Sequence, residues 1–163
     1  MLKFAVQFDA PCAIRYPRGE AYDGLSEYRQ EIALGKAEVL FDEQEIALVA
    51  VGSMVKTAQT VREQLKEEGR SCTLVNARFV KPVDEEMIRE LTKKHSLIVT
   101  LEENVACGGF GEHVKDVLSG YEHVKVLTIA IPDEYVEHGN VELLKKEIGL
   151  DVDSITAKIK ECL

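Results

Sequence analysis

From residue 45 onward the chain alternates strand-length apolar runs with amphipathic segments of helical spacing, a pattern that favours an α/β architecture. Residues 45–51 (EIALVAV) form a nearly continuous apolar run, as expected for a strand covered on both faces. Residues 54–69 then carry apolar side chains at helical spacing between charged ones, and they end at a glycine. The same criteria predict three further strands, at residues 72–75, 96–101 and 124–130.

Helices are predicted between and after these strands. Asp84 is expected to cap a helix whose inward side carries Met87, Ile88 and Leu91. Residues 102–111 are expected to form a glycine-rich turn that leads into the next helix. Two terminal helices follow, at residues 141–148 and 153–162.

This order of elements predicts a three-layer α/β/α domain with a mostly parallel sheet of about five strands. Residues 37–41 are expected to add one antiparallel strand at the edge of that sheet. At 163 residues the chain has the size of one domain, and it can bury a core without a disulfide or a metal ion.

Charge and hydropathy exclude two classes of partner. The chain has 20 Lys and Arg against 29 Asp and Glu, a net charge of −9, and its basic residues are scattered, so nucleic-acid binding is not predicted. Its apolar runs are strand-sized, far short of the roughly 20 residues that a spanning helix needs, so no membrane insertion is predicted. The first apolar stretch of the chain is too short for a signal peptide, and an acidic residue follows it too soon. We therefore expect a cytoplasmic protein.

The cysteines and histidines show no spacing typical of a metal site. Cys12, Cys72, Cys107 and Cys162 lie far apart and form no C-x-x-C pair, so neither a zinc site nor a redox motif is predicted. We expect reduced and mostly packed thiols.

Residues 1–36 do not follow the regular pattern. Residues 1–8 are interpreted as the end of a helix and residues 11–17 as an isolated strand. A helix and a strand without partners suggest a segment of a preceding domain. Residues 19–36 have few apolar side chains and are interpreted as an interdomain linker.

Two arginines near this strand could hold an anion. In residues 15–19 (RYPRG), Pro17 restricts the backbone and Arg18 would project beyond the end of the strand, where ligands of open α/β sheets bind. A guanidinium suits a phosphate or a carboxylate because its donors form a planar fork. The alternative is that Arg15 and Arg18 make surface ion pairs.

A glycine turn and two carboxylates form the second candidate site. Residues 108–111 (GGFG) open a helix, but the spacing is not that of a dinucleotide or P-loop motif, so a tight turn with close packing is favoured. Neighbours at a strand end usually point in opposite directions, so Glu102 or Glu103 is expected to be a structural hydrogen-bond acceptor. His138 could be a general base, yet no nucleophile can be assigned to it. The composition and the spacing of motifs alone therefore do not indicate a particular reaction.

Six short segments carry a resemblance to a known family. They are AIRYPRG at 13–19, ARFVKPVD at 77–84, LEEN at 101–104, GGFG at 108–111, IPDEYVEHG at 131–139 and EIGLD at 147–151. Taken together and in order, they resemble the C-terminal part of the 1-deoxy-D-xylulose 5-phosphate synthase family, within the transketolase superfamily of thiamine diphosphate enzymes.

The resemblance implies a transferase that condenses pyruvate with glyceraldehyde 3-phosphate, for isoprenoid-precursor and thiamine biosynthesis. It implies that thiamine diphosphate and Mg²⁺ are bound by upstream domains and that the full-length enzyme is a homodimer. Arg18 matches the arginine of the family's Y-P-R-G motif that contributes to gripping the phosphate of the acceptor. No catalytic, cofactor-binding or metal-binding residue of the family is carried over to this chain.

The resemblance also implies a division of the chain. Residues 1–18 would be the tail of the preceding pyrimidine-binding domain, residues 19–36 a linker and residues 37–163 a transketolase-type C-terminal domain. Such a fragment is expected to be inactive alone. Two alternatives remain open: a stand-alone assembly subunit of a split transketolase-like enzyme, and a domain of a 2-oxoacid dehydrogenase β subunit.

Overall fold

The apolar run near residue 45 is the central strand of the sheet. The computed structural model describes residues 1–17, 22 and 24–163. Within these residues five strands form one sheet in the order β1-β3-β2-β4-β5. The strands are β1 Glu38–Phe41, β2 Glu45–Ala50, β3 Cys72–Asn76, β4 His95–Val105 and β5 Lys125–Ile131.

The sheet is mostly parallel, as predicted. Strand β1 pairs antiparallel with β3 at one edge, whereas the β2–β3, β2–β4 and β4–β5 pairings are all parallel. In β2 the residues from Ile46 to Ala50 are completely buried, since helices cover both faces. The fold class predicted from the sequence is therefore confirmed.

The described helices are α1 Leu2–Gln7, α2 Met54–Glu67, α3 Glu85–Leu91, α4 Phe110–Val117, α5 Val141–Glu147 and α6 Val152–Lys160, with a short 3₁₀ turn at Ser26–Tyr28. Four of these helices cover the sheet, two on each side. One apolar cluster joins α2 and α6 to the sheet face that carries Leu48. A second cluster joins α3 and α4 to the opposite face, which carries Val49. No helix among the described residues is long and apolar enough to cross a membrane.

Asp84 caps α3, as predicted. Its carboxylate accepts the N–H of Met87, which satisfies one of the free donors of the first turn. The same carboxylate accepts the N–H of Ala37 at 3.0 Å and so fixes the entry into β1. Ile88 and Leu91 are buried, and Met87 is half-buried at the margin of the same cluster.

Two local expectations were wrong. Strand β4 continues to Val105, so residues 102–105 are strand where a turn was expected. These residues are mostly polar and give no strand signal in the sequence, although Val105 pairs with Ile131. Residues 11–17 form no strand, because no strand among the described residues supplies partners for their backbone groups.

The four cysteines are free, but only some are packed. Burial raises the pKa of the Cys72 thiol to about 12, so this sulfur is a core atom and not a nucleophile. Cys162 is half-buried against the core, whereas Cys12 and Cys107 are exposed. The expectation of mostly packed thiols was therefore wrong for two of the four.

Candidate functional site at the carboxyl edge of the sheet

The parallel strands end at a common edge, and the strand order changes direction there. Strand β3 lies on one side of β2 and β4 on the other, so the crevice between the ends of β2 and β4 is the topological switch point. Ser53 follows β2, and its hydroxyl donates a hydrogen bond to the Glu103 carboxylate of β4 across this crevice. In open α/β sheets this is the place where ligands bind.

Glu103 joins three further parts of the chain at the switch point. The Lys145 ammonium of α5 lies 2.7 Å from one carboxylate oxygen of Glu103. The guanidinium of Arg15 donates to the main-chain oxygen of the same residue. Burial alone would raise the pKa of the Glu103 carboxyl, but Lys145, Ser53 and Arg15 together lower it below its usual value. Glu103 is therefore a charged acceptor at neutral pH.

The side chain of Glu102 points in the opposite direction, and both of its carboxylate oxygens accept hydrogen bonds at the start of α4. Its carboxylate accepts the N–H of Phe110 at 2.9 Å and the N–H of Gly111 at 2.8 Å, and the residue is only 2% exposed. These are donors that a helix N-terminus leaves free for an anion. The prediction that one of the two glutamates is a structural acceptor is confirmed for Glu102.

The glycines of the turn allow this close approach. A Cβ on Gly109 would lie 2.5 Å from the carbonyl oxygen of Val105 and within 2.9 Å of the Glu102 carboxylate. A Cβ on Gly111 would lie 2.5 Å from the Thr100 hydroxyl. The interpretation of the turn as close packing, and not as an anion site, agrees with this geometry.

The described residues do not fit thiamine diphosphate or its metal. The glycine turn that opens α4 already holds the Glu102 carboxylate where a diphosphate would bind. Among the residues that the structure describes, no group of three or more His, Cys, Asp or Glu is placed to hold a metal ion. No step on the cofactor is therefore derived from the side chains of this chain.

A buried ion pair lies beside the end of β3. Arg78 follows β3, and its guanidinium contacts the Glu38 carboxylate of β1; the two side chains are 8% and 3% exposed. Arg78 also donates to the main-chain oxygens of Gln30 (2.9 Å) and Glu31 (3.2 Å). The Gln30 N–H in turn donates to Glu38 at 2.7 Å. These contacts fix the segment before β1 against the sheet.

Sequence reasoning missed both Arg78 and Lys145. Arg78 lies in the ARFVKPVD segment that supported the family resemblance, but nothing in the sequence showed that its partner is 40 residues upstream. Lys145 lies among other charged residues of α5, and only the fold brings it to Glu103.

The other predicted site residues fall in different places. Arg18 lies outside the described residues, so the structure does not place it. Arg15 is exposed, and its bond to Glu103 is to a main-chain oxygen, not a surface ion pair. His138 is exposed in the loop after β5 and is not brought to Glu102 or Glu103 by any described contact.

A cavity of about 690 Å³ lies at the opposite edge of the sheet, where the strands begin. The buried imidazole of His95 lines this cavity. Its Nδ1 atom lies 2.7 Å from the Leu91 carbonyl oxygen and its Nε2 atom lies 2.7 Å from the Thr73 hydroxyl oxygen. Both lysines that line the cavity are already paired, Lys93 with Glu90 and Lys94 with Asp42. These groups are satisfied by the fold, so we place the candidate site at the carboxyl edge.

Comparison with known proteins identifies one family for this chain, and the similar relatives agree with that family. The sequence profile of the family described as "Transketolase, C-terminal domain" matches residues 35–155. The chain is 53% identical over 161 residues to a 1-deoxy-D-xylulose-5-phosphate synthase of Lachnoclostridium phytofermentans, covering 98% of this chain and 26% of the relative. It is 43% identical over 158 residues to the synthase of Desulforudis audaxviator, covering 95% and 25%. The chain thus spans about a quarter of the curated relatives' length.

A solved structure matches almost the whole fold. It is titled "Split gene transketolase, inactive beta4 tetramer"; the TM-score is 0.89 and the identity 26%, over 98% of this chain and 52% of that one. The resemblance inferred from the six sequence segments is confirmed by these matches.

Proposed function

This chain belongs to the transketolase C-terminal domain family, and we propose on that premise that it is the C-terminal domain of a 1-deoxy-D-xylulose 5-phosphate synthase. The whole enzyme would condense pyruvate with glyceraldehyde 3-phosphate, using thiamine diphosphate and Mg²⁺. The observation that carries the proposal is the high identity to curated synthases along nearly the entire chain. The family match alone would support only a transketolase-type domain.

The proposal assigns the first residues to the preceding domain. Helix α1 has six residues, too few to be stable alone, and Leu2 and Val6 are 71% and 87% exposed on it. On the other side of the helix, Phe4 packs edge-on against Phe79, with ring centroids 5.8 Å apart. An exposed apolar side on so short a helix supports a further partner, which we propose is the pyrimidine-binding domain.

The cofactor would be bound outside this chain. Because the described residues do not fit thiamine diphosphate, we propose that the upstream domains hold it together with Mg²⁺. The role of the present chain would then be to support the substrate-binding segment and the assembly of the enzyme, including the proposed homodimer.

Arg18 is proposed to bind the phosphate of glyceraldehyde 3-phosphate. A guanidinium remains protonated and offers paired donors to phosphate oxygens, which supports the role. The position also follows closely on Arg15, whose guanidinium donates to Glu103 at the carboxyl edge of the sheet, and this proximity supports the role. No other residue of this chain is assigned to the substrate.

In the full-length enzyme, Arg18→Ala should raise the KM for glyceraldehyde 3-phosphate about 10- to 150-fold, since a charge-assisted phosphate contact contributes about 1.5–3 kcal/mol. The affinity for thiamine diphosphate should not change. Steady-state kinetics with both glyceraldehyde 3-phosphate and unphosphorylated glyceraldehyde would measure the effect. Only the phosphorylated acceptor should respond to the substitution.

The matched control is Arg89→Ala, which removes an arginine paired with Glu85 on the surface of α3. It should leave the kinetics unaltered. If Arg18→Ala also leaves the KM for glyceraldehyde 3-phosphate unaltered, the assignment of Arg18 is wrong.

A second candidate is a natural subunit of a split enzyme. The match to the split-gene transketolase, over nearly all of this chain, supports it. A separate gene encoding the cofactor-binding domains, beside the gene for this chain, would favour the split subunit over a single long synthase. The 2-oxoacid dehydrogenase alternative is not better supported than the synthase.

A further inference from the structure

We propose that Glu103 is a positioning residue that holds Arg15, and through it the start of the RYPRG segment, at the switch point of the sheet. The attachment of Arg15 to Glu103 is a property of this chain by itself. Its consequence for substrate binding rests on the proposed function of Arg18.

The position of Glu103 in β4 makes its main-chain oxygen available. The pairing of β4 with β5 skips from Leu101 to Val105, and Glu103 lies within this irregularity. Its carbonyl accepts the Arg15 guanidinium, 88 residues away in sequence. The carboxylate of the same residue adds Coulombic attraction to Arg15. One residue thus supplies both the acceptor and the charge that hold the arginine.

The carboxylate is itself held in place from two sides. Ser53, at the start of α2, donates to one oxygen, and the Lys145 ammonium of α5 lies 2.7 Å from the other. The side chains of Glu103 and Lys145 are both 23% exposed, so their pairing is partly shielded from water. The switch point, where other folds of this kind bind a ligand, is therefore filled by the chain's own charged groups.

Arg15 lies close in sequence to the arginine that is proposed to bind the phosphate. Arg18 is three residues further on, and a chain of three residues spans at most about 11 Å. Pro17, between the two arginines, has a fixed φ and reduces the freedom of the link. A misplaced binding group weakens the binding of substrate, so the proposed phosphate contact of Arg18 would depend on the attachment of Arg15.

The first test uses the 163-residue chain and trypsin. Trypsin must take the Arg15 side chain into its own pocket to cut the bond between Arg15 and Tyr16, so cleavage there requires that Arg15 leave Glu103. Mass spectrometry would compare the initial rate at this bond with the rate in a synthetic peptide of residues 10–22. We expect cleavage about fivefold slower in the folded chain, since a contact of this exposure contributes up to about 1 kcal/mol.

Glu103→Gln should bring that rate part of the way to the peptide rate, because it removes the charge of the carboxylate but keeps the main-chain oxygen that accepts Arg15. Glu103→Asp keeps the charge and should retain part of the protection. The matched control is Glu85→Gln, which removes a carboxylate paired with Arg89 on the surface of α3. A thermal melt of each variant would exclude general unfolding. Equal rates in the native chain, the Glu103→Gln variant and the peptide would overturn the attachment.

The second test uses the full-length synthase. Glu103→Gln should raise the KM for glyceraldehyde 3-phosphate about three- to tenfold and leave kcat nearly unchanged, with partial rescue by Glu103→Asp. If Arg18→Ala raises the KM but Glu103→Gln does not, the positioning role is wrong and the proposed function stands. If the trypsin test succeeds while Arg18→Ala has no effect, the attachment stands and the proposed substrate role of Arg18 is wrong.

Discussion

Arg78→Met should lower the free energy of unfolding of this chain by about 3 kcal/mol. The substitution keeps most of the volume of the side chain but leaves the Glu38 carboxylate buried without its charged partner. Removing one member of a buried ion pair costs about 3–5 kcal/mol. We expect the lower end of that range, because the Gln30 N–H and the Asn76 side-chain amide still donate to Glu38. Urea unfolding followed by circular dichroism would measure the change.

The double variant Arg78→Met, Glu38→Gln tests the cause. Glutamine removes the unpaired charge, so the double variant should be no less stable than Arg78→Met alone. Arg89→Met, at a surface pair with side chains 44% and 45% exposed, should cost less than about 1 kcal/mol. Additive losses in the double variant would mean that the buried charge is not the reason for the instability.

Glu102→Ala should also cost about 3 kcal/mol of unfolding free energy. The alanine leaves two buried N–H groups, those of Phe110 and Gly111, without an acceptor at the positive end of α4. Each hydrogen bond to a charged group contributes about 1.5–3 kcal/mol. Glu102→Gln keeps one acceptor oxygen but turns an amide donor toward the second N–H, so we expect it to lose about half as much.

A control for Glu102 is present at the same helix start. Glu112 is exposed, and its carboxylate accepts the N–H of Gly108. Because water can replace this bond, Glu112→Ala should cost only about 0.5 kcal/mol. Equal losses for Glu102→Ala and Glu112→Ala in urea unfolding would contradict the role given to burial.

Most of the sheet could be predicted because the apolar patterns that specify its strands and helices lie within single short stretches of sequence. The continuous apolar run of β2 and the amphipathic spacing of α2 each occupy one stretch of sequence, and both formed with ends close to those predicted. The end of β4 could not be predicted in this way. Its last four residues, 102–105, are mostly polar and belong to the strand only through a distant pairing with β5.

The candidate site was predicted only in part, for the same reason. Strand alternation gave the opposite directions of Glu102 and Glu103, because successive side chains of a strand point to opposite faces. The partners of Glu103 come from α2, from α5 and from residue 15, and no local pattern joins these positions. Residues 11–17 show the converse, since a strand-like composition without a neighbouring strand forms no strand.

The most direct test of the central claim is carboligation of pyruvate with glyceraldehyde 3-phosphate in the presence of thiamine diphosphate and Mg²⁺. This chain would be assayed alone and then mixed with the separately expressed upstream domains of the synthase. We expect no product from the chain alone and turnover on mixing. Turnover by the 163 residues alone would contradict the proposed function, because the cofactor site would then lie within them.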